Sequence, residues 1–335
     1  MATATKAKRK PAVAASAPAT EKKAAAAAKP AASKPARKAS PKPSAKAKAE
    51  TQPQPAAPSA QPRPKAPKTK HKTKDKPKAP AIPSYRSDGL IRGPLISDTL
   101  QALQVWDLEA SKRANLDQLR QSNSIGASTQ AWLKKVCSAL SSRFDPAKRD
   151  RALVLAARTG TGQRHWKPLL LWHLANSDQL LGDGLRWSAQ VYSDGGDLLK
   201  TDQALSWLEG TGSQGHPEVA DWSEATRKRV AGGLLKAGVD LGLLQGRVKR
   251  RFTAYYLADE PLLYVLLQAL TSNRTTAAAL ADPRWLWFRL PEAELEHRLL
   301  LLHQAQVISY YRAGSVVDLK LPASSAEALV QEVWS

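Results

Sequence analysis

The chain has little from which to build a redox or metal centre. One cysteine, Cys137, and six histidines serve 335 residues. A single thiol excludes an intramolecular disulfide and fits a reducing compartment. Lying among Leu133, Val136 and Leu140, Cys137 reads as a small core residue rather than a nucleophile. Long apolar runs are missing too. The longest, Pro168–Ala175 and Pro261–Leu270, are about half the roughly 20 residues a bilayer needs. The first thirty residues offer Ala and Lys but no apolar stretch, so they predict no secretory signal. Acids and aromatics are scarce at one end only. Residues 1–84 carry 21 Lys and Arg against 3 acids, no Trp, Tyr or Phe, and 15 of the 23 prolines. Residues 85–335 carry 30 bases against 26 acids, so nearly all of the +22 charge belongs to the first quarter. Such a segment cannot bury enough apolar surface to offset its chain entropy, and it predicts a disordered basic tail over 1–84.

Motifs of catalysis are also missing. There is no HExxH, CxxC, GxSxG or Walker sequence. His297 and His303 are six apart on a predicted helix, which puts them on different faces and suits no two-histidine metal pair. His165 and His173 flank an apolar helix without a nearby acidic pair, and each reads as a hydrogen-bonded residue beside Trp166 or Trp172. Thr159–Gln163 is glycine-rich but lacks the order of a phosphate-binding loop, so it reads as a connector. The sequence therefore predicts no enzyme, no cofactor, no metal and no small-molecule substrate. The tail reads as a non-specific polyanion binder acting by counterion release, or else as a solubilising extension.

What is present is a helix-rich remainder holding all ten tryptophans. Asp88–Val105 reads as mostly helical, Ser111–Gln121 as a second helix, and Asn123–Gly126 as a turn. Ser128 then caps a third helix through Phe144, which offers Gln130, Lys134 and Lys135 outward. This pair reads either as a helix-turn-helix or as an ordinary αα-hairpin. Arg149–Ala157, Lys167–Asn176 and Arg186–Tyr192 predict further helices. Thr201 predicts the cap of a helix to Leu208, and Gly210–Glu218 a polar loop. Beyond Leu257, helices are expected over Glu260–Thr271 and Glu292–Gln306, a hairpin over Val307–Leu321, and a last helix capped by Ser324.

The most informative stretch is Asp221–Leu257. Ser223 suits a helix N-cap, and Val230, Leu234, Ala237 and Leu241 recur at helical spacing as one apolar stripe. Lys228, Arg229 and Lys236 fall on the opposite face, with Arg227 on its flank. Past Gly242 come Leu243 and Leu244, then Gly246, the bases Arg247, Lys249, Arg250 and Arg251, and the alternation Phe252, Ala254, Tyr256. Helix, short strand, basic loop, strand is the order of a winged helix beginning near Leu198. A basic helix face beside a basic loop suits phosphate contacts, although winged helices also dock proteins.

The pattern Trp222-Ser223-x-x-Thr226-x-x-Arg229-Val230-x-x-Gly233-Leu234-Leu235, then Gly242-Leu243-Leu244 and Tyr256-Leu257, resembles the BrxA proteins of bacterial BREX phage-defence systems. So do Gly93-Pro94-Leu95-Ile96 with the Asn123–Gly126 turn, and the run Tyr310–Val317. The likeness spans about 85–330. It implies a mainly α protein with an N-terminal helical domain (85–197) similar to the antitermination factor NusB. A C-terminal winged-helix-like domain with a terminal hairpin (198–335) would follow. It further implies a cytoplasmic, nucleoid-associated, non-enzymatic binder of double-stranded DNA. The partners it implies are a BREX methyltransferase, ATPase and phosphatase-like protein, with no membrane. Two other readings stay open: a protein-docking scaffold touching DNA only through its tail, and an RNA binder using the NusB-like helices.

Overall fold

Short polar side chains cap seven of the fifteen α-helices among the described residues. The computed structural model describes residues 84–314 and 316–335, so the tail expected to be disordered lies outside the described residues. Ser87–Arg92 (α1) and Ile96–Gln104 (α2) occupy the segment expected as one helical stretch. They separate because Pro94 has no amide to continue the ladder, and because Gly93 (φ 75°) and Leu95 (φ 53°) are left-handed. Lys112–Ser122 (α3) is capped by Ser111. It ends at Asn123, whose side chain closes the expected turn onto the Ala127 amide (2.8 Å) and carbonyl (3.0 Å). Thr129, not Ser128, caps Gln130–Arg143 (α4), accepting from the Trp132 amide at 3.1 Å. Arg151–Ala156 (α5) follows. The glycine segment expected as a connector is a helical turn instead, Gly160–Arg164 (α6), capped by Thr159. Trp166–Ser177 (α7) is apolar nearly all round and correspondingly buried. Asp178 caps Gln179–Ser193 (α8), which begins well before the expected Arg186.

Leu198–Leu199 (β1) leads into Thr201–Thr211 (α9). Lys200 rather than Thr201 precedes that helix, its amide donating to the Gln203 side chain at 2.8 Å. The expected polar loop holds a 3-10 turn, Gly212–Gln214, and a short helix, Glu218–Asp221 (α10). Ser223 then caps Glu224–Asp240 (α11) as expected, its hydroxyl accepting from Thr226 at 3.2 Å. Leu244–Gln245 (β2) and Arg250–Phe252 (β3) complete an antiparallel sheet in the order β1-β3-β2, with Leu198 opposite Arg251 and Leu244 opposite Phe252. The alternation to Tyr256 does not extend β3. Thr253 turns its hydroxyl back onto the Gly242 and Leu243 carbonyls, at 2.8 and 3.0 Å, and the strand stops. Gly246 makes the hairpin turn at φ 102°, where a Cβ would also lie 2.5 Å from the Lys249 carbonyl oxygen.

The remaining elements are Asp259–Ser272 (α12), Thr276–Leu280 (α13), a 3-10 segment Pro283–Phe288 and Glu292–Gln304 (α14). Ser309–Ala313 (β4) and Val316–Lys320 (β5) form the expected hairpin. Ser325, one residue beyond the expected cap, starts Ala326–Ala328 (α15), which widens into a π turn over Leu329–Val333. The described residues are thus mainly helical with two small sheets. No helix among them is long and apolar enough to cross a membrane.

The main core runs from Tyr85 to Trp334 and takes side chains from both sides of residue 198. A second, small core of Leu199, Ala204, Ala231, Leu235 and Leu244 lies under the three-stranded sheet. Helix α11 serves both. Val230, Leu234, Ala237 and Leu241 enter the main core, whereas Ala231 and Leu235 enter the small one. Its third face is left to solvent.

Candidate nucleic-acid interface

That third face carries the charge. Counting about 100° per residue from Lys236, Arg229 falls about 20° away, Gly232 about 40° and Lys228 about 80°. Lys228, Arg229 and Lys236 are exposed. Lys228 pairs with Glu224 and Lys236 with Asp240, each at 2.5 Å and one turn apart. The hydrogen bond to Glu224 also raises the Lys228 pKa. Exposed pairs of this kind are weak and screened by solvent, and they do not keep either lysine from a phosphate. Arg229, Arg247 and Lys249 make no ion pair among the described residues.

The β2–β3 hairpin folds back over this face. Gly232, Lys236, Val239 and Asp240 of α11 line one groove with Gly246, Arg247, Val248 and Arg250. Nothing lies within 4 Å of where a Gly232 Cβ would stand, so the groove floor is open backbone. Gly233, one residue on, is the opposite case. A Cβ there would lie 2.6 Å from the Leu90 carbonyl oxygen, and the glycine lets α1 pack directly on α11. Arg250 is half-buried, which lowers its pKa, and its guanidinium reaches Thr201 Oγ1 at 3.4 Å. Arg251 is held by Asp197 at 3.1 Å across the strands.

Beyond Lys236 the groove opens into a wider cleft lined by Arg92, the Gly93–Asp98 segment, Trp132 and Lys167. A third recess, past Trp132, is bounded by Ile91, Arg92, Leu95, Lys135 and Arg229. Helix α4, the α1–α2 junction, α11 and the hairpin thus present cations to three adjoining recesses, which share Lys236 on one side and Arg92 and Trp132 on the other. Arg92, Trp132 and Lys167 join them without a sequence signal: Trp132 shares the helical stripe of Val136, Ala139 and Leu140, which reads as core, and nothing local marks the other two. Of the three α4 residues expected to face outward, only Lys135 turns toward the recess. Lys134 and Gln130 are exposed but lie about 100° and 140° further round the helix.

Arg227 is engaged elsewhere. About 180° from Lys236, it pairs with Glu209 on α9 at 3.2 Å and donates to the Trp222 carbonyl at 2.5 Å. It joins helices rather than facing the groove.

One polar cluster escaped sequence reading. His173 Nδ1 meets Asp150 Oδ1 at 2.5 Å and His173 Nε2 meets the Tyr264 hydroxyl at 2.8 Å, all three buried. The expectation that His173 lacks an acidic partner is therefore corrected. Asp150 is 23 residues away in sequence and arrives through the packing of α5 on α7. Burial alone would raise the Asp150 pKa, but the hydrogen bonds and charge of His173, the Arg149 guanidinium and the Asp145 amide together bring it down to about 2. The cluster is sealed by protein, with Trp334 stacked on Tyr264 at 5.7 Å, and it satisfies core polar groups.

No curated protein matches the chain. A family model does, over residues 84–266, which takes in α1 through most of α12, including the whole groove, and leaves the Tyr310–Val317 run outside. That span is more than half of the 335 residues, and the chain accordingly belongs to the BrxA family of BREX-associated phage-defence proteins.

Proposed function

We propose that this chain is a non-enzymatic, double-stranded DNA-binding component of its BREX system. The observation that carries the reading is the single groove shared by α11 and the β2–β3 hairpin, with Lys236, Arg247 and Arg250 along it. The order β1, α9, α11, β2, β3 and the strand order β1-β3-β2 support reading Leu198–Phe252 as a winged helix, with residues 85–197 as its NusB-like helical companion. Arg247 and Lys249 at the hairpin tip would hold phosphates, while Arg229 and Lys236 lie along the duplex groove. Gly232 allows backbone to come close there. Such a protein needs no cofactor. It would work on the bacterial nucleoid beside the system's methyltransferase, ATPase and phosphatase-like protein.

The test is duplex-DNA binding by the full chain and by a version lacking residues 1–83, each with and without Arg247→Glu and Lys249→Glu. The shortened protein is expected to bind, and the two substitutions to abolish that binding. If shortening alone removes it, the tail is the DNA contact and the groove docks protein partners instead. If structured or single-stranded RNA outcompetes duplex DNA, the N-terminal helices are an RNA-binding surface.

A further inference from the structure

Phosphates alone do not explain the recess beside Trp132. It measures about 300 Å³, and its walls are Ile91, Leu95 and the Trp132 ring, with Arg92, Lys135 and Arg229 among its lining. The indole is fixed rather than loose: its Nε1 donates to Asp98 Oδ1 at 3.0 Å, and Lys135 Nζ stands 6.0 Å from a Trp132 ring centre. Trp132 also lines the neighbouring cleft with Lys167 and Lys236, so it stands as the ridge between the two. Asp88, the acid in the recess, is engaged by Arg92 at 3.2 Å and Arg86 at 3.4 Å, which leaves Lys135 and Arg229 to set the local charge. A held aromatic face, apolar walls and cations spaced around them is the composition that receives an unstacked base together with its flanking phosphates.

We propose that this recess takes an unpaired nucleobase, stacked on Trp132, from a nucleic acid whose backbone follows α11. The inference rests on the reading of α11 as the DNA-contacting helix. Because every base has a π face, the pocket selects for unpairing rather than for sequence. A duplex with a bulge, gap or opened end would then be preferred to a continuous one.

The experiment uses the full chain and two duplexes of equal length, one perfect and one with a single bulged nucleotide, at one salt concentration high enough to suppress the tail's contribution. The tail contributes almost equally to both, so it cancels in the ratio of dissociation constants. The bulged duplex is expected to bind about ten-fold tighter, within the range that stacking of one base supplies. Trp132→Ala is expected to erase the ratio, and Trp132→Phe to keep most of it. In the wild-type chain, 5-iodouracil at the bulged position is expected to photo-crosslink to the peptide bearing Trp132, which holds the idea testable even if the alanine variant folds poorly. Equal affinity for the two duplexes, a preference that survives Trp132→Ala, or a crosslink elsewhere overturns the proposal. So does displacement of the bulged strand from Trp132 by an acidic, aromatic peptide. Arg247→Glu with Lys249→Glu separates the two readings. If it leaves the perfect duplex unaffected while the Trp132-dependent ratio persists, the groove reading fails and the recess stands.

Discussion

Adjacent glycines in α11 offer a matched test of the packing described above. Replacing either by alanine removes the same helix penalty, about 1 kcal/mol, so each substitution starts from the same gain. At Gly232 the new methyl meets nothing within 4 Å, and the full gain should appear as added stability of about 1 kcal/mol. At Gly233 the methyl would lie 2.6 Å from the Leu90 carbonyl oxygen and 3.0 Å from its carbon. Backbone cannot rotate aside as a side chain can, so α1 must shift away from α11. Overpacking of this kind costs about 1–3 kcal/mol. The difference between the variants cancels the propensity term and isolates the steric one, about 2 kcal/mol. For a folded part of this size that corresponds to roughly 4–8 °C in Tm. Urea unfolding with an unchanged m-value, alongside thermal melts, measures it. Two variants of equal stability, or Gly233→Ala the more stable, would refute the placement of α1 on α11. Gly232→Ala also reports on function: if DNA backbone comes close there, the more stable variant binds duplex more weakly.

Other substitutions separate structural from recognition roles. Arg227→Ala should lower Tm and leave the salt dependence of DNA binding unchanged, because its guanidinium is engaged by Glu209 and the Trp222 carbonyl. Arg247→Ala should do the reverse, leaving Tm unchanged and reducing the slope of log K against log salt by about 0.9. Asp150 makes acid stability predictable. Its folded pKa, about 2, lies below the unfolded value near 3.9. Its contribution is therefore complete above about pH 4 and lost as pH falls toward 2, on the order of 2 kcal/mol. Asp150→Asn should destabilise the protein at neutral pH and flatten the pH 4-to-2 limb of the stability profile, measured by urea midpoints across pH.

Local chemistry was legible in the sequence, and long-range company was not. Ser223 announced the start of α11, the 230/234/237/241 stripe its buried face, and Gly246 its hairpin, because each signal is read from neighbours a few residues apart. The errors at Ser128, Thr201 and Ser324 are one-residue shifts between competing polar residues, where backbone geometry decides which one caps. Pro94 did mark the α1–α2 break, but apolar spacing across it looked continuous. The partners of His173 lie 23 and 91 residues away. Arg227 likewise looked like a flank cation until α9 supplied Glu209. The cleft is the extreme case: Lys135, Arg92, Lys167, Arg229 and Arg247 come from five separate stretches, and only packing puts them on one surface.

That distribution bears on how any affinity of the full chain must be read. The tail's 21 bases could neutralise enough phosphates to give a log–log salt slope approaching about −19. Contacts from five exposed cations of the cleft and hairpin, Lys135, Arg229, Lys236, Arg247 and Lys249, would give about −4.5 on the same rule. At low salt the tail would therefore dominate, and substitutions in the groove would look silent. Raising salt four-fold weakens the cleft term by about 500-fold but the tail term by many orders more, so the groove emerges as salt rises. The groove is itself organised in advance. Helix α11 is clamped by two hydrophobic cores, so its cations are fixed relative to the hairpin before any ligand arrives, and little ordering entropy remains to oppose binding. A groove substitution that matters at high salt and vanishes at low salt is what this division of labour requires; one with equal effect at both would place tail and groove in a single, inseparable site.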